Sequence, residues 1–205
     1  MHSCAIVLAL WTVVVEGQQW VQWCNTAIPE STPIASFRLD AEGTATDLQT
    51  GLTWKRCAEG QIWDGTTCMG TAITGKWEAA LRRGVASNSA GHVDWRLPNA
   101  KELMSIVEER CLTPAINATV FPNTPIFVWS GSPSAQNPGY AWFVDAYYGL
   151  IDGDRKSSNF FAVRLVRGGQ AVNVAAADVP TLSQWALRLM VALVLAACVF
   201  HYKRR

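Results

Sequence analysis

At 205 residues the chain has room for one ordinary domain plus processing segments. Half of the residues are hydrophobic, and two apolar runs at the extreme ends inflate that share. Between Ile28 and Asp178 thirteen Lys and Arg face fifteen Asp and Glu, a balance of −2. That lacks the basic excess needed to capture phosphates and excludes a nucleic-acid partner.

Residues Cys4 to Val15 form an apolar run too short to span about 30 Å of hydrocarbon, but of the right size for the core of a signal peptide. Only His2 precedes it as a basic group, so a buried N-terminal strand is the alternative. The expectation is a signal peptide over residues 1–27, cleaved near Gly17 or near Ala27.

A folded domain is expected over residues 38–167, α+β in class. Thr46 to Arg56 predicts a turn at Gln49 to Gly51 and a strand with Leu52 and Trp54 on one face, Gly51 supplying a positive φ. Lys76 to Ala86 predicts a helix, with Trp77, Ala80 and Leu81 on its inner face and Arg82 and Arg83 outside. Asn99 followed by Glu102 is a capping-box pair, and Leu103, Ile106, Val107 and Arg110 continue the helical period. The outer face of that second helix would carry Lys101, Glu108 and Glu109 in solvent.

Three strands are then expected: Ile126 to Ser130, Tyr140 to Tyr148 and Asn159 to Val166. Tyr140, Trp142, Val144, Ala146 and Tyr148 would share one face of the second, Phe161, Val163 and Leu165 one face of the third. Gly149 to Asp154 would turn between them. The resulting architecture is two helices packed on an antiparallel sheet.

Of six cysteines, Cys4 and Cys198 fall in the terminal runs and four remain. Their spacing lacks the paired Cys-x-x-Cys of a zinc site, and an exported chain meets an oxidising compartment, so disulfides are expected. Cys57 and Cys68, flanking the Gly-rich loop Ala58 to Thr67, form the best pair. Cys24 with Cys111 follows by elimination and fails if cleavage removes Cys24.

Gly168 to Asp178 reads as an Ala-rich linker. Beyond it Val179-Pro-Thr-Leu-Ser-Gln-Trp185 leads into the apolar stretch Ala186 to Phe200, broken only by Arg188, and a basic end at Lys203, Arg204 and Arg205. Such a segment lodges in a bilayer with its basic cluster on the cytoplasmic side, which predicts a C-terminal transmembrane helix over 186–200. Val179, Pro180, Thr181, Leu182 and Trp185 closely resemble the IPTL-type C-terminal sorting signal of Gram-negative bacteria, with Val in place of Ile. The resemblance implies recognition by an exosortase-type membrane protease; a plain tail anchor is the alternative.

Asp47-Leu-Gln-Thr-Gly-Leu-Thr-Trp54, Trp77 with Ala79-Ala80, Asp94-Trp-Arg-Leu-Pro98 with Lys101-Glu-Leu103, Pro114-Ala-Ile-Asn117, Phe121-Pro-Asn-Thr-Pro125, Trp129-Ser130 and Val163-Arg-Leu-Val-Arg-Gly168 occur in this order. Together they resemble the Lcl C-terminal domain family, named for the terminal domain of a bacterial collagen-like adhesin. The resemblance implies a C-type-lectin-like fold variant with recognition on surface loops, and, in the namesake, binding of sulfated polysaccharide. The segments of calcium-dependent sugar sites are missing.

Tyr140, Trp142, Tyr147 and Tyr148 could stack on sugars, though at strand spacing they read first as core or sheet surface. His92 is the only histidine between the terminal runs and reads as structural. Asp145, Asp152 and Asp154 read as loop carboxylates before a calcium site. No catalytic residue, metal or cofactor is assigned, and the chain is expected not to be an enzyme. The expected function is an exported surface or secreted recognition module, an adhesin binding glycan or protein through loops at Ser130 to Gly139 and Gly149 to Ser158. A structural envelope or matrix protein is the second reading, and a hydrolase ranks last. The expected location is a membrane-anchored precursor, then the cell surface or medium.

Overall fold

The computed structural model describes residues 22–157 and 159–169. In chain order the first elements are β1 (Trp23–Cys24), β2 (Phe37–Asp40), β3 (Thr44–Asp47), β4 (Leu52–Lys55), β5 (Ile62–Trp63), β6 (Cys68–Met69), β7 (Thr74–Gly75), α1 (Trp77–Ala86) and α2 (Ala100–Met104). They are followed by β8 (Cys111–Leu112), β9 (Phe127–Pro133), β10 (Tyr140–Asp145), β11 (Leu150–Arg155), β12 (Phe161–Ala162) and β13 (Val166–Gly168). The strands make a five-stranded sheet in the order β11-β10-β9-β12-β7, a four-stranded sheet β13-β4-β3-β2, and two ribbons, β1-β8 and β5-β6.

This overturns the expected α+β arrangement of two helices on one antiparallel sheet, the form in which a C-type-lectin-like variant was anticipated. The described residues are mostly β, in four sheets, with two short helices, and β12 runs parallel to β9. Two local causes stand out. The second helix ends at Met104, because the Ser105 hydroxyl turns back on the Glu102 carbonyl at 2.7 Å and Val107 leaves to bridge Ile116. Leu150 to Arg155 is an edge strand where a turn was expected, and edges tolerate the Gly and charges of its sequence. The predicted helix over 186–200 lies outside the described residues, and among those no helix is long and apolar enough to cross a membrane.

The four-stranded sheet follows from strict alternation. Leu52 and Trp54 point inward, with Ala45 beside Trp54 in register, while Thr53 and Lys55 are half-buried on the other face. Gly51 turns the chain at φ +68°. Gly43 is required twice over: its φ is +80°, and a Cβ there would lie 2.7 Å from the Trp63 ring. The inner face of this sheet packs with Leu103, Ile106, Phe121, Val128 and Val144 in one hydrophobic cluster. A second cluster sets Ala80, Trp77 and Leu81 of α1 against Trp129, Phe143 and Leu165.

Asp94 to Pro98 joins these parts. The Trp95 indole is buried and donates to Ser89 O at 2.9 Å, and Arg96 exchanges two backbone hydrogen bonds with Val166. The Arg96 guanidinium grips the Glu102 carboxylate with two bonds of 2.7 Å, while Glu102 completes the capping box with Asn99. Helix α1 packs closely on this segment, since a Cβ at Gly84 would meet Arg96 Cα at 2.9 Å.

Val163 to Leu165 carry the chain from one large sheet to the other, so the strand expected over 159–166 is split into β12 and β13. All three residues are buried, Arg164 completely. Its guanidinium donates to the carbonyls of Lys55 and Arg56 and to the Thr124 hydroxyl at 2.9 Å, and lies 5.0 Å from the Phe121 ring centroid. Burial lowers its pKa to about 9, so the group is still a cation at neutral pH. Neighbouring Lys55 N–H and Glu59 N–H donate to Leu165 O and Val163 O. Removing the side chain strands two buried carbonyls and opens a cavity. Arg164→Ala is expected to cost about 4 kcal/mol, and Arg164→Lys more than half of that because an ammonium cannot span the three acceptors. Urea unfolding reads both, as a fall in midpoint at unchanged slope.

Glu108, expected in solvent on the second helix, is instead 3 % exposed because that helix has already ended. Its carboxylate accepts from Ser31 N–H, Thr32 N–H and the Thr32 hydroxyl at 3.1, 2.8 and 2.8 Å. Burial alone would raise its pKa; the bonds from Thr32, Ser31 and Arg110 outweigh burial and hold it below the ordinary glutamate value. A lowered folded pKa gives stability that is present above the unfolded value and lost as pH falls through the folded one. Glu108→Gln is therefore expected to destabilise at pH 7 by about 2–3 kcal/mol, a difference that shrinks below about pH 4. Thermal melts of both proteins from pH 7 to pH 3 measure it.

Candidate functional site

The start of α1, the end of β7 and the chain after β11 enclose an open groove of about 510 Å³. Its cations come from three places: Lys76 just before the helix, Arg82 one and a half turns along it, and Lys156 after β11. Glu78 is the acidic residue in the lining and lies 3.8 Å from Arg82, an exposed pair of little worth to stability that leaves the lining with two positive charges in excess. Phe160, 59 % exposed, supplies an apolar wall.

The cations are held by contacts that leave charge available. Lys156 Nζ donates to Pro138 O at 2.7 Å and sits 4.5 Å from the Trp77 ring centroid, while its backbone N–H donates to Gly139 O. Trp77 is fixed in turn, its indole donating to Ser130 O at 2.8 Å and its backbone N–H to Lys156 O at 3.2 Å. Lys76 Nζ stands 6.0 Å from the Phe160 ring centroid. A ligand with an anionic oxygen and a flat apolar face meets both of its needs here.

The outer face of the four-stranded sheet carries a second, more balanced depression of about 450 Å³. Arg38, Thr46, Thr53 and Arg167 occupy one continuous cross-strand row, with Asp40 and Glu42 beside them. The Thr46 and Thr53 hydroxyls bond each other at 3.0 Å, and Arg167 is engaged by Asp94 at 2.9 Å. That hydrogen bond from Arg167 holds the Asp94 carboxyl below its ordinary range. His92 lies exposed in this lining.

The structure brings the two expected recognition loops together. Ser130 to Pro133 are strand rather than loop, as are Leu150 to Arg155, but Lys156, in the lining of the first groove, bonds the Pro138 and Gly139 carbonyls. Asp145, Asp152 and Asp154 do not converge: the Asp145 carboxylate receives the Tyr147 N–H at 2.8 Å, and the other two are on β11. Among the described residues no three His, Cys, Asp or Glu side chains are grouped to hold a metal ion. Tyr140 and Trp142 are half-buried on β10, whereas Tyr148 has left the strand for the turn.

Cys57 and Cys68 form a disulfide that pins the β5-β6 ribbon, and Cys24 is bonded to Cys111. Residues Val179, Pro180, Thr181, Leu182 and Trp185 lie outside the described residues. Lys76, Arg82 and Phe160 were not singled out from sequence as site residues. Two of them sit on or beside a helix whose charges look like an ordinary solvated face, and Phe160 adjoins an apolar strand.

A family model described as the Lcl C-terminal domain matches residues 43–167, and one for the IPTL-CTERM motif matches residues 179–205. Comparison with curated proteins finds no match.

Proposed function

Because the chain belongs to the Lcl C-terminal domain family and ends in an IPTL-type sorting motif, we propose that it is a surface recognition module that binds an acidic glycan in the groove between Lys76, Arg82 and Lys156. The sorting motif implies an exported, surface-directed protein processed by an exosortase-type enzyme. The bilayer segment over 186–200 and an adhesin role are parts of this proposal.

The observation that carries it is the concentration of three cations and an exposed aromatic in one groove of a domain, residues 38–167, in which positive and negative side chains balance overall. Composition alone argues against a polyanion partner. Local charge is what a ligand meets within a Debye length of about 8 Å. Carboxylate or sulfate oxygens would pair with Lys76, Arg82 and Lys156, and a sugar ring face would lie on Phe160.

We read the protein as a binder and not an enzyme. Support comes from His92, which stands exposed beside Arg38 and Arg167 among threonines bonded to each other, and from four cysteines tied up as disulfides. Neither arrangement offers an activated nucleophile with its base.

A glycan array probed with the purified protein should therefore pick out carboxylated or sulfated oligosaccharides over neutral ones. Lys76→Ala combined with Arg82→Ala is expected to weaken that binding about tenfold or more, with unchanged circular dichroism. Raising the salt concentration should weaken the wild type likewise. Equal affinity of the double variant, or preference for neutral sugars, would sink the assignment.

A further inference from the structure

Residues 22–36 run as a strap along the segment 107–117, and their bonds to it are both covalent and polar. Gln22 Nε2 donates to Pro114 O and Ile116 O, each at 2.7 Å. Strand β1 pairs with β8 so that Trp23 faces Leu112 and Cys24 faces Cys111, where the disulfide forms. Asn25 N–H donates to Arg110 O at 2.8 Å, and Ile28 N–H to Asn25 O at 3.1 Å. Further along, Asn117 Nδ2 donates to Thr32 O at 2.8 Å beside the buried Glu108. The strap lies ahead of residues 43–167, the region that the family model matches.

Both cleavage positions that the leader sequence allows, near Gly17 and near Ala27, can be weighed against these bonds. Cleavage after Ala27 would remove Gln22, Cys24 and Asn25. It would leave Cys111, 4 % exposed, as an unpaired thiol in an oxidising compartment and strip the Pro114 and Ile116 carbonyls of their amide donor. Cleavage after Gly17 removes none of this. It also follows directly on the apolar run ending at Val15, with Val15 and Gly17 in the small-residue pattern that precedes a signal-peptide cut, where Asn25 and Ala27 fit less well.

We propose that the leader is cut between Gly17 and Gln18, so that the mature protein keeps the strap and its Cys24–Cys111 bond. Hydrolysis of the Gly17–Gln18 peptide bond consumes one water, leaves a carboxylate on Gly17 and frees the α-amine of Gln18. This inference rests on the export reading of the function.

The test is N-terminal peptide mapping by mass spectrometry of the protein recovered from the envelope and medium of its host. Alkylation of free thiols is done before reduction. The expected N-terminus is Gln18, with or without loss of ammonia from that residue, and Cys111 is found unalkylated and linked to Cys24. A mature protein starting at Ile28, or an alkylated Cys111, overturns the inference and leaves export standing. A chain still starting at Met1 overturns export and the inference together.

Discussion

A fully buried guanidinium, that of Arg164, sits where the chain passes from the five-stranded sheet to the four-stranded one. A cation in that place is costly to desolvate, and it is tolerated because carbonyls of Lys55 and Arg56, the Thr124 hydroxyl and the face of Phe121 surround it. Those acceptors come from parts of the chain remote in sequence, so one side chain fixes the relation between β4, the loop before β9 and the crossover itself. Lys156 directly follows β11 and Phe160 directly precedes β12, the strand that leads into this crossover, and both line the groove.

Around this point the remaining devices act as fasteners for a domain of very short strands. All the strands among the described residues are two to seven residues long and gain little from their ladders alone. The Arg96–Glu102 fork ties β13 to α2, the Arg56 guanidinium reaches Thr119 and Val120 carbonyls while lying 3.9 Å from the Trp63 ring, and two disulfides close loops of 11 and 87 residues. On loop-closure entropy alone these cross-links contribute about 3 and about 4.5 kcal/mol. An exported domain retains such bonds where a cytosolic one would not.

Much of the local structure was legible in the sequence, and what was not has a physical reason. Helix α1, strand β4, the Asn99 capping box and the Cys57–Cys68 pair each depend on neighbours within a few residues, so pattern and spacing reveal them. Glu108 could not be read, since its burial depends on Ser31 and Thr32 arriving from far upstream. Arg164 hid inside an apolar alternation in which every other residue behaves as a strand residue should. The edge strand β11 hid behind Asp and Gly, residues that signal turns in isolation yet suit a free sheet edge. The groove was the least visible feature, because Lys76, Arg82, Lys156 and Phe160 are brought together only when α1 docks beside the chain that follows β11.

The most direct test of recognition at that groove is a chemical-shift map of the isotopically labelled protein titrated with a uronic-acid-containing oligosaccharide. The account predicts that saturable shifts cluster on the amides of residues 74–82 and 156–160 and on the Trp77 indole. Shifts confined to the row Arg38, Thr46, Thr53 and Arg167, or no saturable shift at any residue, would contradict it.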